Sequence, residues 1–270
     1  MVTQHPPVLL LAFAIMLTGG HEACAAPTSM PDAPGYYTTP ATMPDATRYL
    51  PPPPVAGSAR QAADNQAFQA TRHDRGDARW ALATADANLQ TGALLHAFSC
   101  AAGFTINSTE APRLTALIHR MDASEIPDMR NSKQYWHRAR PFVGNSQPIC
   151  TEDDRAHLGQ SGSYPSGHTM LGWSTALLLT ELLPDRATPL LQRGRVFGES
   201  RIVCGAHWAS DVQEGYLVAA GQIAAMHASP EFQTDIRAAR AELDGLRKTA
   251  PQPDPQICAM EQDAATHSPL

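Results

Sequence analysis

After Gly57-Ser58, Pro and Gly nearly vanish and Ala, Leu, Arg and Gln at three-to-four spacing take over through Phe98, and no β-alternating run of useful length appears in the chain. Such a segment buries its hydrophobic surface as packed helices and not as a sheet. The spacing predicts helices over roughly Ala59–His73, Arg79–Phe98, Glu110–His119, Asn131–Trp136, Gly167–Leu183, Ala187–Ile202, Ala209–His227 and Pro230–Leu246. One all-α domain, a compact single-domain helical bundle, is therefore expected over residues 58–248. At 270 residues, 43% of them hydrophobic, the chain is long enough to bury a sizeable core.

The ends differ in kind. Val8 to Leu17 is a ten-residue apolar run followed by Gly19-Gly20 and the small residues of Ala23-Cys24-Ala25. It is too short to span a bilayer and predicts a signal peptide over residues 1–25, cleaved after Ala25. Residues 26–57 hold nine prolines between Pro27 and Pro54 and form an extended arm, either a flexible linker or a strap on the folded body. From Thr249, with Pro251, Pro253 and Pro255, an irregular tail is expected to run to residue 270. The apolar stretches Met170–Leu183 and Tyr216–Met226 carry Ser174, Thr175, Glu181 and Gln222, which makes them core helices, not membrane spans.

Charge and cysteine content narrow the partners. Twenty Lys and Arg against 26 Asp and Glu give a net charge of −6, so nothing sequence-wide attracts nucleic acid or an anionic membrane surface. Any basic site must be local. Without Cys24 four cysteines remain, Cys100, Cys150, Cys204 and Cys258, which in an oxidising compartment predict two disulfides among three possible connectivities. No pair of them has zinc-site spacing.

Three separated clusters collect the residue types that anion chemistry needs. Lys133 and Arg140 lie seven apart, which in a helix puts a point charge and a planar fork on one face before Pro141 ends it. Alone, with His137 and Arg138 beside them, they would be a solvated basic face. In Pro165-Ser166-Gly167-His168 a turn leads into a long apolar helix, so Ser166 is placed as an N-cap. The free amides of that first turn, Gly167's included, favour an anion, and His168 projects toward it. His207 and Asp211, four apart, allow the carboxylate to accept from Nδ1–H and leave Nε2 free, with Ser200-Arg201 shortly before. As an isolated pair they would be an ordinary helix contact.

The order of these clusters resembles the signature of the PAP2 superfamily of phosphatases and vanadium haloperoxidases: Lys, six residues, Arg-Pro; Pro-Ser-Gly-His; Ser-Arg, five residues, His, three residues, Asp. The intervals fit as well, with 23 residues between Pro141 and Pro165 and 31 between His168 and Ser200. Beyond the signature, Tyr49 to Pro54, Ala85 to Leu89, Gly162 to Thr169 and Gly198 to Gly205 resemble class A bacterial non-specific acid phosphatases, and the likeness extends from about Leu50 to Lys248.

That resemblance implies a periplasmic or secreted bacterial enzyme hydrolysing many phosphomonoesters without metal or other cofactor. His207 would attack phosphorus, Asp211 would hold its tautomer, and His168 would serve as general acid and then base. Lys133, Arg140, Arg201, Ser166 and Gly167 would bind the phosphoryl oxygens. It further implies inhibition by phosphate, vanadate and molybdate, a homo-oligomer, and the pairing Cys150–Cys204, leaving Cys100–Cys258 as an addition of this chain. No leaving-group pocket is evident, although Tyr135, Trp136, His137 and Trp208 adjoin the signature. Two rivals share the motif: a vanadium-dependent haloperoxidase using the same cradle, and a secreted phosphate-binding protein without turnover.

Overall fold

Six of the helices begin where a short polar side chain takes up a free backbone amide. Ser58 accepts from Gln61 at 3.2 Å, Asp77 from Trp80 at 2.8 Å, Ser166 from Thr169 at 3.3 Å and Ser229 from Phe232 at 3.3 Å. The computed structural model describes Met1 and residues 35–39 and 41–270. The apolar run Val8–Leu17 and its cleavage site lie outside the described residues.

Among the described residues the chain forms twelve α-helices and no strand. In order they are α1 (Ala46–Tyr49), α2 (Ala59–Ala70), α3 (Ala78–Ala85), α4 (Thr91–Ala97), α5 (Ser99–Ala102), α6 (Pro112–Trp136), α7 (Arg155–Gly159), α8 (Gly167–Leu182), α9 (Ala187–Val203), α10 (Ala209–Met226), α11 (Pro230–Leu246) and α12 (Pro255–Thr266). The all-α expectation holds. Helix α8 is the centre: residues from Thr169 to Leu182 on nearly all its sides are buried, and it packs on α9 and α10 while α6 and α11 close the other flank. Close approach of α8 and α9 depends on glycine, because a Cβ at Gly172 would overlap the Phe197 ring and one at Gly194 the Ala176 methyl.

Three local expectations are corrected. The single helix over Arg79–Phe98 is two, α3 and α4, because Asp86 turns its carboxylate to Arg193 while Asn88 Oδ1 accepts from Gln90 N at 3.0 Å. The separate helices Glu110–His119 and Asn131–Trp136 are parts of one α6, which continues through Pro127; its buried face includes Ser124, Glu125, Asp128 and Ser132, so polarity hid the period. The C-terminal tail is not irregular throughout: Asp254 caps α12 and Pro255 occupies its first turn.

The described part of the proline-rich arm is a strap. Tyr37 is buried, its amide donates to Ser124 Oγ at 2.9 Å and its hydroxyl to Asp235 at 2.6 Å. Ala46 N donates to Asp128 at 3.0 Å, and Tyr164 Oη donates to the Pro51 carbonyl at 2.7 Å. Disulfides join Cys150 to Cys204, the pair at family positions, and Cys100 to Cys258, the pair this chain adds.

Candidate active site

Lys133 sits one turn before the end of α6, where His137 adopts a left-handed conformation (φ 45°) and stops the helix. Arg138 and Arg140 therefore lie on the irregular segment beyond it, and the two-turn helical spacing of Lys133 and Arg140 is not what brings them together. The loop before α8 does. Lys133 Nζ donates to the Gly162 carbonyl at 2.7 Å, and Arg140 reaches the Ser161 carbonyl at 3.2 Å and its hydroxyl at 3.1 Å. Gly162 passes so near the end of α6 that a Cβ there would stand 2.6 Å from the Lys133 carbonyl.

From the other side, α9 ends at Val203, and the turn through Gly205 presents His207 before α10 starts at Ala209. Its ring is bracketed: Nδ1 is 3.3 Å from Asp211 Oδ2, and Nε2 is 2.9 Å from Arg140 Nη1. A guanidinium only donates, so Nε2 accepts and the ring proton belongs on Nδ1, the tautomer expected from the sequence. Asp211 is itself fixed, with Oδ2 accepting from Trp208 N at 2.9 Å and Oδ1 from Arg138 at 2.6 Å.

His168, in the first turn of α8, approaches from the opposite wall, where its Nε2 donates to the Ala87 carbonyl at 3.1 Å. Ser166 caps the helix, its hydroxyl accepting from Thr169 N and, at 2.9 Å, from Thr169 Oγ1. Lys133, Arg140, Gly167, His168 and His207 all line one cavity of about 470 Å³. Ser166, Arg201 and Asp211 stand behind that lining, buried. Arg201 donates to Cys204 Sγ at 3.7 Å, and its Nε has no partner among the described residues.

The electrostatics of the cavity are those of uncompensated cations. Burial, reinforced by Arg140 and Arg201, pulls Lys133 down to about 7. Burial likewise lowers Arg140 to about 10 and, with Arg140 adding to it, Arg201 to about 9. Both imidazoles are held well below the usual histidine range, first by burial and then by these same cations. Burial also pushes Asp211 up to about 6, against the pull of Arg138. A bound dianion would relieve every one of these strained cations at once.

Two parts of the site were not legible in the sequence. Arg138 is no solvated base: it is buried, pairing with Asp64 and Asp211 at 2.6 Å each, while Ser210 donates to Asp64 through N at 2.8 Å and Oγ at 2.6 Å. The far wall of the cavity is built by Leu89 and by Asp122, Glu125, Ile126 and Met129, which share one face of α6 with Lys133. Their i, i+3, i+4, i+7 spacing was the available signal. The aromatics beside the signature do not line the cavity; Tyr135 is exposed and Trp208 Nε1 donates to the Ala139 carbonyl at 2.8 Å.

Comparison with known proteins agrees with this geometry. Residues 113–235, which span every site residue from Lys133 to Asp211, match the PAP2 superfamily. The chain belongs to the PAP2 superfamily. It is similar to an acid phosphatase of Zymomonas mobilis, 52% identical over 215 residues that cover 80% of this chain and 81% of that protein. It is also similar to non-specific acid phosphatases of Providencia stuartii, at 38% identity over 82% of this chain and 89% of the relative, and of Salmonella typhimurium, at 36% over 72% and 78%. This PAP2 protein is thus a phosphatase enzyme, and phosphomonoesters are its substrate class. No helix among its described residues is long and apolar enough to cross a membrane.

Proposed function

We propose that this chain is an exported, metal-independent acid phosphatase that works through a phosphohistidine. The observation that carries the reading is the meeting of His168 and His207 on one cavity with Lys133, Arg140 and the start of α8. Neutral His207 Nε2 attacks phosphorus; the N–P bond forms as the bond to the leaving alcohol oxygen breaks. His168, whose Nε2 is committed to the Ala87 carbonyl, delivers a proton from Nδ1 to that oxygen. It then takes a proton from water, whose oxygen displaces His207 from phosphorus and releases inorganic phosphate.

Three cations, one just behind the wall, supply the charge that a metal would otherwise bring. The Gly167 amide and the Ser166 hydroxyl, which keeps its own proton to donate, complete the oxyanion contacts. Protonated His168 is disfavoured in the free site, and the two negative charges of a bound monoester reverse that preference. As pH rises that proton is lost, so the reading entails an acidic to near-neutral optimum. Two disulfides and the apolar run Val8–Leu17 support export.

Rapid quench with phosphorus-labelled p-nitrophenyl phosphate tests the pathway. Acid-labile label should attach to the wild-type protein and not to His207→Ala, with turnover undiminished by EDTA. Label on the variant, or loss of activity on chelation, overturns the reading.

A further inference from the structure

Ser200 precedes Arg201 in the signature, yet its hydroxyl serves no part of the cavity: it donates to Asp86 Oδ2 at 2.6 Å and accepts from Arg79 Nη1 at 3.0 Å. The same carboxylate receives a fork from Arg193, Nη2 to Oδ1 at 2.5 Å and Nη1 to Oδ2 at 3.2 Å. Asp86, Ser200 and Arg193 are all buried. Three donors thus fix the carboxylate of one residue in the short turn between α3 and α4. The next residue in that turn is Ala87, whose carbonyl accepts from His168 Nε2.

We infer that Asp86, clamped by Arg193 and Ser200, is a positioning residue that sets the orientation of His168 through the Ala87 carbonyl. A carbonyl can only accept, so the ring must keep hydrogen on Nε2 and turn Nδ1 toward the leaving-group side of the cavity. The turn is held from two sides: the Asn88 amide, on the same peptide as this carbonyl, donates to Ala85 O at 3.1 Å, and the Ala87 and Asp86 amides donate to Thr84 O at 3.2 Å and Leu82 O at 2.9 Å, while the clamp ties the turn to α9. Loosening the clamp leaves the turn anchored to α3 alone, so the carbonyl can shift relative to α9 and the imidazole with it. Lys133 and Arg140 draw their contacts from the loop before α8 and from His207, and Arg201, which follows Ser200 and feels the Asp86 charge, grips the phosphoryl group common to both esters, so a change there alters their rates together and not their ratio.

The inference rests on the proposed proton-donor role of His168, and the experiment separates the two. An alkyl phosphate needs its leaving oxygen protonated far more than p-nitrophenyl phosphate does. The ratio of kcat/KM for the alkyl to the aryl ester is therefore measured for wild type, His168→Ala, Asp86→Asn and Ser200→Ala. His168→Ala should lower it by about 10²-fold or more. Asp86→Asn keeps the shape of the clamp and Ser200→Ala removes one bond of it; each should lower the ratio by about tenfold, the effect of one lost buried hydrogen bond. A purely structural role would depress both esters equally. An unchanged ratio in both clamp variants, with the fall present in His168→Ala, overturns this inference alone; no fall in His168→Ala overturns the proton-donor role and the inference with it.

Discussion

Two sets of buried cations in this fold are treated in opposite ways. Arg138 bridges Asp64 and Asp211 at 2.6 Å each, and Arg193 meets Asp86 at 2.5 Å and Glu261 at 3.2 Å. Lys133, Arg140 and Arg201 instead face carbonyls, a hydroxyl, an imidazole and a sulfur, with no carboxylate at ion-pair distance among the described residues. The consequence is visible in their proton affinities. Burial alone would lower Arg193, but Asp86 and Glu261 outweigh it and raise it, whereas nothing comparable rescues the cavity cations. Paired cations hold the protein together; unpaired ones wait for an anion.

The sharpest way to break that contrast is to remove one cation from each set. Arg140→Met should cut kcat/KM for p-nitrophenyl phosphate by about 10²–10³-fold while the protein stays folded, because it deletes a cation stabilising the developing charge. Arg193→Met should show its largest effect in the melting curve, costing about 3–5 kcal/mol by leaving Asp86 and Glu261 buried without a counterion, beyond any loss of turnover through the loosened clamp on Asp86. If Arg140→Met unfolded and Arg193→Met did not, the division between the two sets would be wrong.

Smaller effects come from the carboxyl wall of the cavity. Burial pushes Glu125 up to about 8, and its Oε1 accepts from Ser174 Oγ. A carboxyl with a raised folded-state pKa stabilises fully below the unfolded value of about 4.5 and loses that contribution as pH climbs toward 8. Glu125→Gln should therefore match wild type in Tm at pH 5 and exceed it by several degrees, about 4 °C or more, at pH 9. Equal Tm differences at the two pH values would show that the carboxyl is ionised in the folded protein throughout.

Much of this arrangement could be read from residue order, and the exceptions are instructive. Pro165, Ser166 and Gly167 announce a helix start because each imposes local backbone chemistry, and the structure has Ser166 capping α8. Long apolar stretches with polar punctuation at their ends likewise located α8 to α11. Arg138 was opaque: whether a basic side chain is solvated or buried depends on Asp64, 74 residues away, closing on it. The wall of Asp122 and Glu125 was hidden for the same reason that α6 looked broken, since its buried face is partly polar. For the strap, Pro27 to Pro54 has no period at all, and only the docking of Tyr37 and Pro51 onto the folded body distinguishes it from a linker.

The central claim, that unpaired cations form the anion site, is tested most directly by thermal unfolding at pH 5.5 with and without inorganic phosphate. Phosphate at about 100 times its Kd should stabilise the wild-type protein by about 2.7 kcal/mol. Lys133→Met should melt no lower than wild type in phosphate-free buffer, since it relieves repulsion from Arg140 and Arg201, and should lose most of the gain from phosphate. A variant that melts lower without phosphate and keeps the full gain would contradict the account.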